Sequence, residues 1–232
     1  TRGARAGGPA GDAVPPAGLR VTATGLLRSV TLAALLGGCA SSTPHYVDFA
    51  EVNRNFRSED YEKVLGNWSR HAKAVVVYEG TVIETWGVFK SWEFRQAYIE
   101  RYAKIYSLSD SEKAALYHTQ REAARQTYEF HVAVQMTNYK WNDLDKETSP
   151  WRISLVDGTG AEIAPRRVEL LKLPELYETQ FFPNRTEFSQ TYLIRFSRAE
   201  AEAAGFGGPS TGRIALRIAS PLAKNEIVWE SK

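Results

Sequence analysis

Along much of the chain apolar and polar positions alternate one by one, which is the pattern of strands with one buried face. Ala72, Ala74, Val76 and Tyr78 alternate with His71, Lys73, Val75 and Val77, Glu79-Gly80 turns the chain, and Val82, Glu84, Trp86 and Val88 alternate with Ile83, Thr85 and Phe89. Two β-branched runs around a short Gly-containing turn predict a β-hairpin. The clearest alternation follows later, with Tyr128, Phe130, Val132, Val134 and Met136 on one face and Glu129, His131, Ala133, Gln135 and Thr137 on the other. Further strands are expected at residues 151–156, 168–173, 190–196, 213–218 and 226–229, separated by turn formers such as Asp157-Gly158-Thr159-Gly160 and Ser220-Pro221.

Helical spacing interrupts this pattern. Ser58-Glu59-Asp60 before Tyr61, Val64, Leu65 and Trp68 predicts a short helix over 58–68. Ser91 and Glu93 open a second helix whose Phe94, Tyr98, Tyr102 and Ile105 share a face, and Leu108 closes it. Ser109-Asp110-Ser111-Glu112 is a capping box that starts a third, running to about Arg125. The last two form an αα-hairpin. Seven or eight short strands without regular βα alternation predict a mainly β protein, an antiparallel β-sandwich with the αα-hairpin inserted after the N-terminal β-hairpin.

The first forty residues read differently. Residues 1–20 are almost wholly Ala, Gly, Pro, Arg and polar residues, a composition that cannot build a core, and the only methionine is Met136. We therefore expect an over-extended start, with Val21 as initiator. From Val21, Arg28 precedes the apolar run Val30, Leu32, Ala33, Ala34, Leu35 and Leu36, followed by Gly37 and Gly38. This has the layout of a secretory signal peptide over 21–38 and is too short for a membrane-spanning helix. Leu36-Gly37-Gly38-Cys39 resembles the lipobox of bacterial lipoproteins. That resemblance implies cleavage between Gly38 and Cys39, acylation of Cys39, and a membrane partner reached through the lipid anchor. Ala40 in place of Asp implies sorting to the outer membrane. Residues 39–57 are expected to be the lipidated cysteine and a tether, and 58–232 one globular domain, with strands of the sandwich over 127–232. An aromatic strand, a polar loop, a Trp-led strand, an Asp-Gly turn and the late Tyr192-Leu-Ile-Arg-Phe196 strand resemble the Ig-like domains of uncharacterised envelope lipoproteins, a likeness that carries no activity with it.

Composition narrows the chemistry. Of the net charge of +2, Arg2, Arg5, Arg20 and Arg28 against Asp12 put +3 in residues 1–38 and leave −1 beyond. A nearly neutral domain gives no reason to expect nucleic acid. One cysteine permits no intrachain disulfide and no multi-sulfur zinc site. His45, His71, His118 and His131 lack ligand spacing, and His131 falls on the polar, solvated face of its strand. Asp143, Asp145 and Glu147 alternate in a loop, but Lys146 stands where a calcium loop needs its glycine. No Gly-x-Ser-x-Gly elbow is present, and Gly205, Gly207 and Gly208 precede a strand rather than a helix. No cofactor, metal or catalytic residue is therefore expected. The connection from Pro174 to Thr186, with Tyr177, Phe181 and Phe182, is the candidate interaction loop, set against a role in packing its rings over the end of the sandwich. The reading is a lipid-anchored binding or assembly module acting on an envelope protein. An envelope hydrolase of glycan or peptide and a purely structural spacer are the alternatives.

Overall fold

A computed structural model describes residues 45–76 and 80–232. Cys39, the cleavage site at Gly38 and the leader lie outside the described residues. In order, the chain forms α1 (Tyr61–Trp68), β1 (Ser69–Val76), β2 (Gly80–Phe89), α2 (Trp92–Tyr106), α3 (Asp110–Gln126), β3 (Thr127–Met136), β4 (Arg152–Asp157), β5 (Glu162–Ile163) and β6 (Arg167–Leu171). It continues through α4 (Glu175–Phe181), β7 (Gln190–Ser197), α5 (Arg198–Ala203), β8 (Arg213–Ala219) and β9 (Lys224–Glu230). The strands make two antiparallel sheets, ordered β1-β2-β3-β7-β6 and β5-β4-β8-β9.

Local chemistry sets the helix starts. Ser91 Oγ accepts from the Phe94 N–H at 3.1 Å, and Ser109 and Glu112 satisfy each other's backbone N–H groups in a capping box. Between α2 and α3, Ser107 takes the left-handed conformation (φ 50°) while Leu108 N–H closes back on Ala103 O at 2.9 Å.

Residues of both sheets share one apolar core. Trp229 of β9 lies 5.3 Å from Phe130 and 6.1 Å from Phe89, ring centre to ring centre. Thr85 Oγ1 donates across to Asn225 Oδ1 at 2.8 Å. Gly87 makes the approach possible, since a Cβ there would sit 2.1 Å from Ile227 Cδ1.

The alternation of β3 sends Phe130 toward Trp229, and His131, on the other side, against Phe182. Phe94 of α2 lies 6.1 Å from Phe182, and Tyr61 donates to Phe181 O at 2.5 Å. The five-stranded sheet is thus covered on its second face by helices. This corrects three expectations. The chain is mixed α and β rather than mainly β, with α4 and α5 added to the three expected helices. His131, expected in solvent, is buried because Phe182 covers it. The expected tether is too long: Val47 N–H bonds Glu230 O at 2.8 Å, Phe49 packs on Trp68, and Arg54 ion-pairs with Glu93 at 2.7 Å. Residues 46–56 are part of the packed body.

Candidate functional site

The aromatic connection is the helix α4, and its rings turn inward. Phe181 is fully buried among Tyr61, Tyr98, Tyr102 and Tyr177, and Phe182 is buried on His131. Tyr177 is half-buried and shares a hydrogen bond with Tyr98 at 2.8 Å. Buried Glu178 accepts from Thr191 Oγ1 at 2.8 Å and pairs with Arg185, fastening the helix to β7. Phe181 and Phe182 therefore cannot be the exposed anchors of a binding loop; they serve packing.

The densest ionic chemistry surrounds Glu129 on β3. Lys90, Arg95 and Arg195 all converge on its carboxylate, with Arg195 Nε at 2.9 Å and Arg95 Nη2 at 3.4 Å. Burial alone would raise the Glu129 carboxyl, but the charges of Lys90 and Arg95, with hydrogen bonds from Lys90 and Arg195, hold it at about 2. Burial, reinforced by the charge of Arg95, lowers the Lys90 ammonium to about 8. Perturbed groups of this kind mark active sites when a cleft reaches them, and equally mark structural ion networks when none does. Arg95 is 1 % exposed, its Nε donates to Lys90 O and its Nη1 to Gln120. The clefts beside β4, beside α2 and α3, and beside Tyr128 are lined by none of Lys90, Arg95 and Glu129. The network ties α2, β3 and β7 together.

A more open arrangement lies where the two sheets' edges meet. A groove of about 400 Å³ runs between β4, β5 and the start of β6, with Leu144, Trp151, Ile153, Ile163, Pro165 and Val168 among its lining residues. Its origin is a broken pairing. Asp157 N–H donates to Ala161 O at 3.0 Å, and Leu155 stands opposite Ile163. Backbone groups alternate sides along an antiparallel strand, so Asp157, Leu155 and Ile153 all turn N–H and C=O toward β5. Pairing nevertheless ends at Leu155 and Ile163. Pro165 would come opposite Ile153, has no N–H to give, and leads the chain away, so that Arg166 N–H bonds Arg195 O at 2.8 Å in the other sheet. Ile153 keeps its β8 neighbour, Ile218, and has no strand partner on the groove side among the described residues.

One residue lining the groove carries a buried donor. Trp151 is 5 % exposed and its buried indole Nε1 has no hydrogen-bond acceptor among the described residues. Such an unsatisfied donor costs about 1–3 kcal/mol. Arg152, at the same rim, is exposed and makes no ion pair among the described residues, whereas Glu162 is held by Arg217 at 2.7 Å. Sequence reasoning placed Trp151 at the head of a strand and gave it no role. Pro165 was the available signal, because a proline after a two-residue strand ends the pairing that would have covered Ile153.

The remaining expected residues stay apart. His45 bonds Asn67, His71 stacks on Trp86 and bonds Glu84, and Asp143 accepts from Ser149. Among the described residues no three His, Cys, Asp or Glu side chains are grouped to hold a metal ion, and no helix is long and apolar enough to cross a membrane. Comparison of the chain with protein-family models, curated proteins and solved structures gave no match.

Proposed function

We propose that the chain is a non-catalytic binding or assembly module of the bacterial envelope, held at the outer membrane by acyl chains on Cys39 and built on an Ig-like sandwich. The observation that carries the binding role is the groove beside Ile153, where an apolar trough, an unpaired strand edge and an unsatisfied indole donor occur together. The Leu36-Gly37-Gly38-Cys39 segment supports the anchor.

The strand order supports the Ig-like reading. Taking β2, β3, β7 and β6 as strands A, B, E and D, and β5, β4, β8 and β9 as C′, C, F and G, the two sheets follow the order of that architecture. Buried Trp151 at the head of β4 stands where such domains carry their strand-C tryptophan. No cysteine pair accompanies it, since Cys39 is the only cysteine. On this reading the αα-hairpin is an insertion between strands A and B.

The glycan form of the hydrolase alternative calls for two carboxylates facing each other across a cleft. The groove holds Glu162 alone, the cleft beside α2 and α3 holds Glu100 alone, and the one beside Tyr128 holds Glu51 alone. These three clefts offer no carboxylate pair for a glycan hydrolase, which favours the binding reading over that form of the alternative. The test is chemical crosslinking in native membranes followed by isolation of the full chain. Discrete crosslinked envelope proteins, lost when Cys39→Ser releases the chain from the membrane, are expected. An unacylated Cys39 by mass spectrometry would overturn the anchor, and recovery of the chain free of any crosslinked protein would overturn the module.

A further inference from the structure

We infer that the groove beside Ile153 takes an extended peptide segment of another protein, added as a strand to the free edge of β4. The inference rests on the proposed binding role and names the chemistry of its partner.

The backbone supplies the first argument. Ile153 offers one N–H and one C=O to the groove, with β4's other edge already committed to β8. An edge of this kind is complementary to one thing above all, an extended backbone that returns a C=O and an N–H. A strand matches both with the spacing that β5 already uses beside Leu155.

Side chains supply the second. In an antiparallel pair, opposite residues point to the same face. Ile153 belongs to the core, so the peptide residue opposite it directs its side chain between the two sheets, toward Leu144, Trp151 and Val168. That position calls for an apolar residue. Its two neighbours point away, toward the rim where Arg152 stands exposed and Glu162 is already paired. They are expected to be polar, with an acidic residue facing Arg152.

The buried donor supplies the third. Trp151, which lines the trough, has no acceptor for Nε1 among the described residues; that atom is sealed from solvent, so a peptide carbonyl reaches it only when the indole ring turns. Proline opposite Ile153 is excluded, since it lacks the N–H that Ile153 C=O requires.

The experiment uses a phage-displayed library of roughly 12-residue random peptides, long enough for one strand with flanks, selected on the purified full chain. Peptides that alternate apolar and polar residues are expected to emerge and to slow hydrogen exchange at the Ile153 amide. Backbone N-methylation along a selected peptide should abolish binding at the one residue set opposite Ile153 and leave its two neighbours unaffected, because their N–H groups face away from β4. Trp151→Phe keeps the ring, removes the donor and should weaken binding about tenfold. The methylation and exchange results decide the matter even if that variant folds poorly. Failure to enrich any peptide, protection elsewhere on the chain, binding unaffected by methylation at every position, or self-association protecting Ile153 in place of peptide would each overturn the inference. Crosslinked envelope partners recovered while the groove stays unoccupied would remove the groove and leave the tethered module standing. Loss of Cys39 acylation alone would do the reverse.

Discussion

The imidazole of His131 lies flat on the ring of Phe182, with centroids 3.6 Å apart and planes 9° apart. Burial, with the nearby charge of Lys90, pushes its pKa down to about 3, against the opposing charge of Glu129. In the unfolded chain the ring takes up its proton near pH 6.5. Between these values the unfolded state binds a proton that the folded state refuses, so the stability His131 confers is complete above pH 6.5 and is lost progressively as pH falls toward 3. Between pH 6.5 and 4.5, before the lowered carboxylates titrate, this amounts to about 2 kcal/mol. Urea denaturation across that range should show a smaller loss of stability in His131→Gln than in the parent chain. Equal slopes would contradict the assignment.

Phe181 and Phe188 offer a contrast of burial within one connection. Phe181 is fully buried against four tyrosines, and Phe188 is 71 % exposed. Phe181→Ala should destabilise the fold by about 3–5 kcal/mol through lost burial and the cavity left behind. Phe188→Ser should change it by less than about 0.5 kcal/mol. Thermal unfolding of the two variants checks the difference, and a small effect at Phe181 would return that ring to the surface.

These two residues also show where the sequence was legible. The capping oxygens of Ser91 and Ser109 act within three residues, so the starts of α2 and α3 could be read directly. The alternation of β2 and β3 was equally local. His131 was misread because a period of two separates faces without saying what covers each; α2 and α4 cover the second one. For α4, Pro174 followed by acidic Glu175 and Glu178 was a start signal overlooked in favour of a loop. For α5, Ser197-Arg198-Ala199-Glu200 carried the capping spacing, and Ser197 Oγ does accept from Glu200 N–H at 3.3 Å, but the strand before it absorbed the signal. The groove was not legible beyond the single signal of Pro165. It exists because Pro165 departs from β4 toward a different sheet, a fact of topology rather than of local pattern.

Glu129 is the sole acid on which Lys90, Arg95 and Arg195 converge, and its side chain is 5 % exposed. Glu129→Gln leaves buried Lys90 and Arg95 without their carboxylate, while Arg195 keeps Glu169 at 3.0 Å, and a loss of about 3–5 kcal/mol is expected. Adding Lys90→Met should restore part of it by removing one of them, so the double-mutant cycle should give a coupling energy of about 1–3 kcal/mol. Additive effects would show that the two side chains act independently. Protonation should act like the Gln variant: the contribution of Glu129 is present above pH 4.5 and is lost as pH falls through about 2.

Ser107 occupies the left-handed region at φ 50° with its side chain in solvent. A residue with a Cβ is strained there by about 1–2 kcal/mol, and glycine is not, although glycine also gains freedom in the unfolded chain worth about 0.4–1 kcal/mol. The balance favours Ser107→Gly by about 0.5 kcal/mol. In a domain of this size that is a rise of about 1–2 °C in Tm, measurable by calorimetry. A fall would place the turn in another conformation.

Gly87 and Ile227 set the separation of the two sheets. A methyl group on Gly87 would lie 2.1 Å from Ile227 Cδ1 and 3.6 Å from the Trp229 ring, inside a core where Ile227 is 2 % exposed. Gly87→Ala must therefore displace the Ile227 tip or part the sheets, with a loss of about 1–3 kcal/mol from overpacking. Removing the offending carbon tests which. Ile227→Val deletes Cδ1 and alone should cost about 0.5–1.5 kcal/mol. In the Gly87→Ala background the same change should cost nothing or raise stability, because the deleted atom is the one the new methyl meets. If Ile227→Val is equally harmful in both backgrounds, the two residues do not touch, and the close approach of β2 to β9 is wrong.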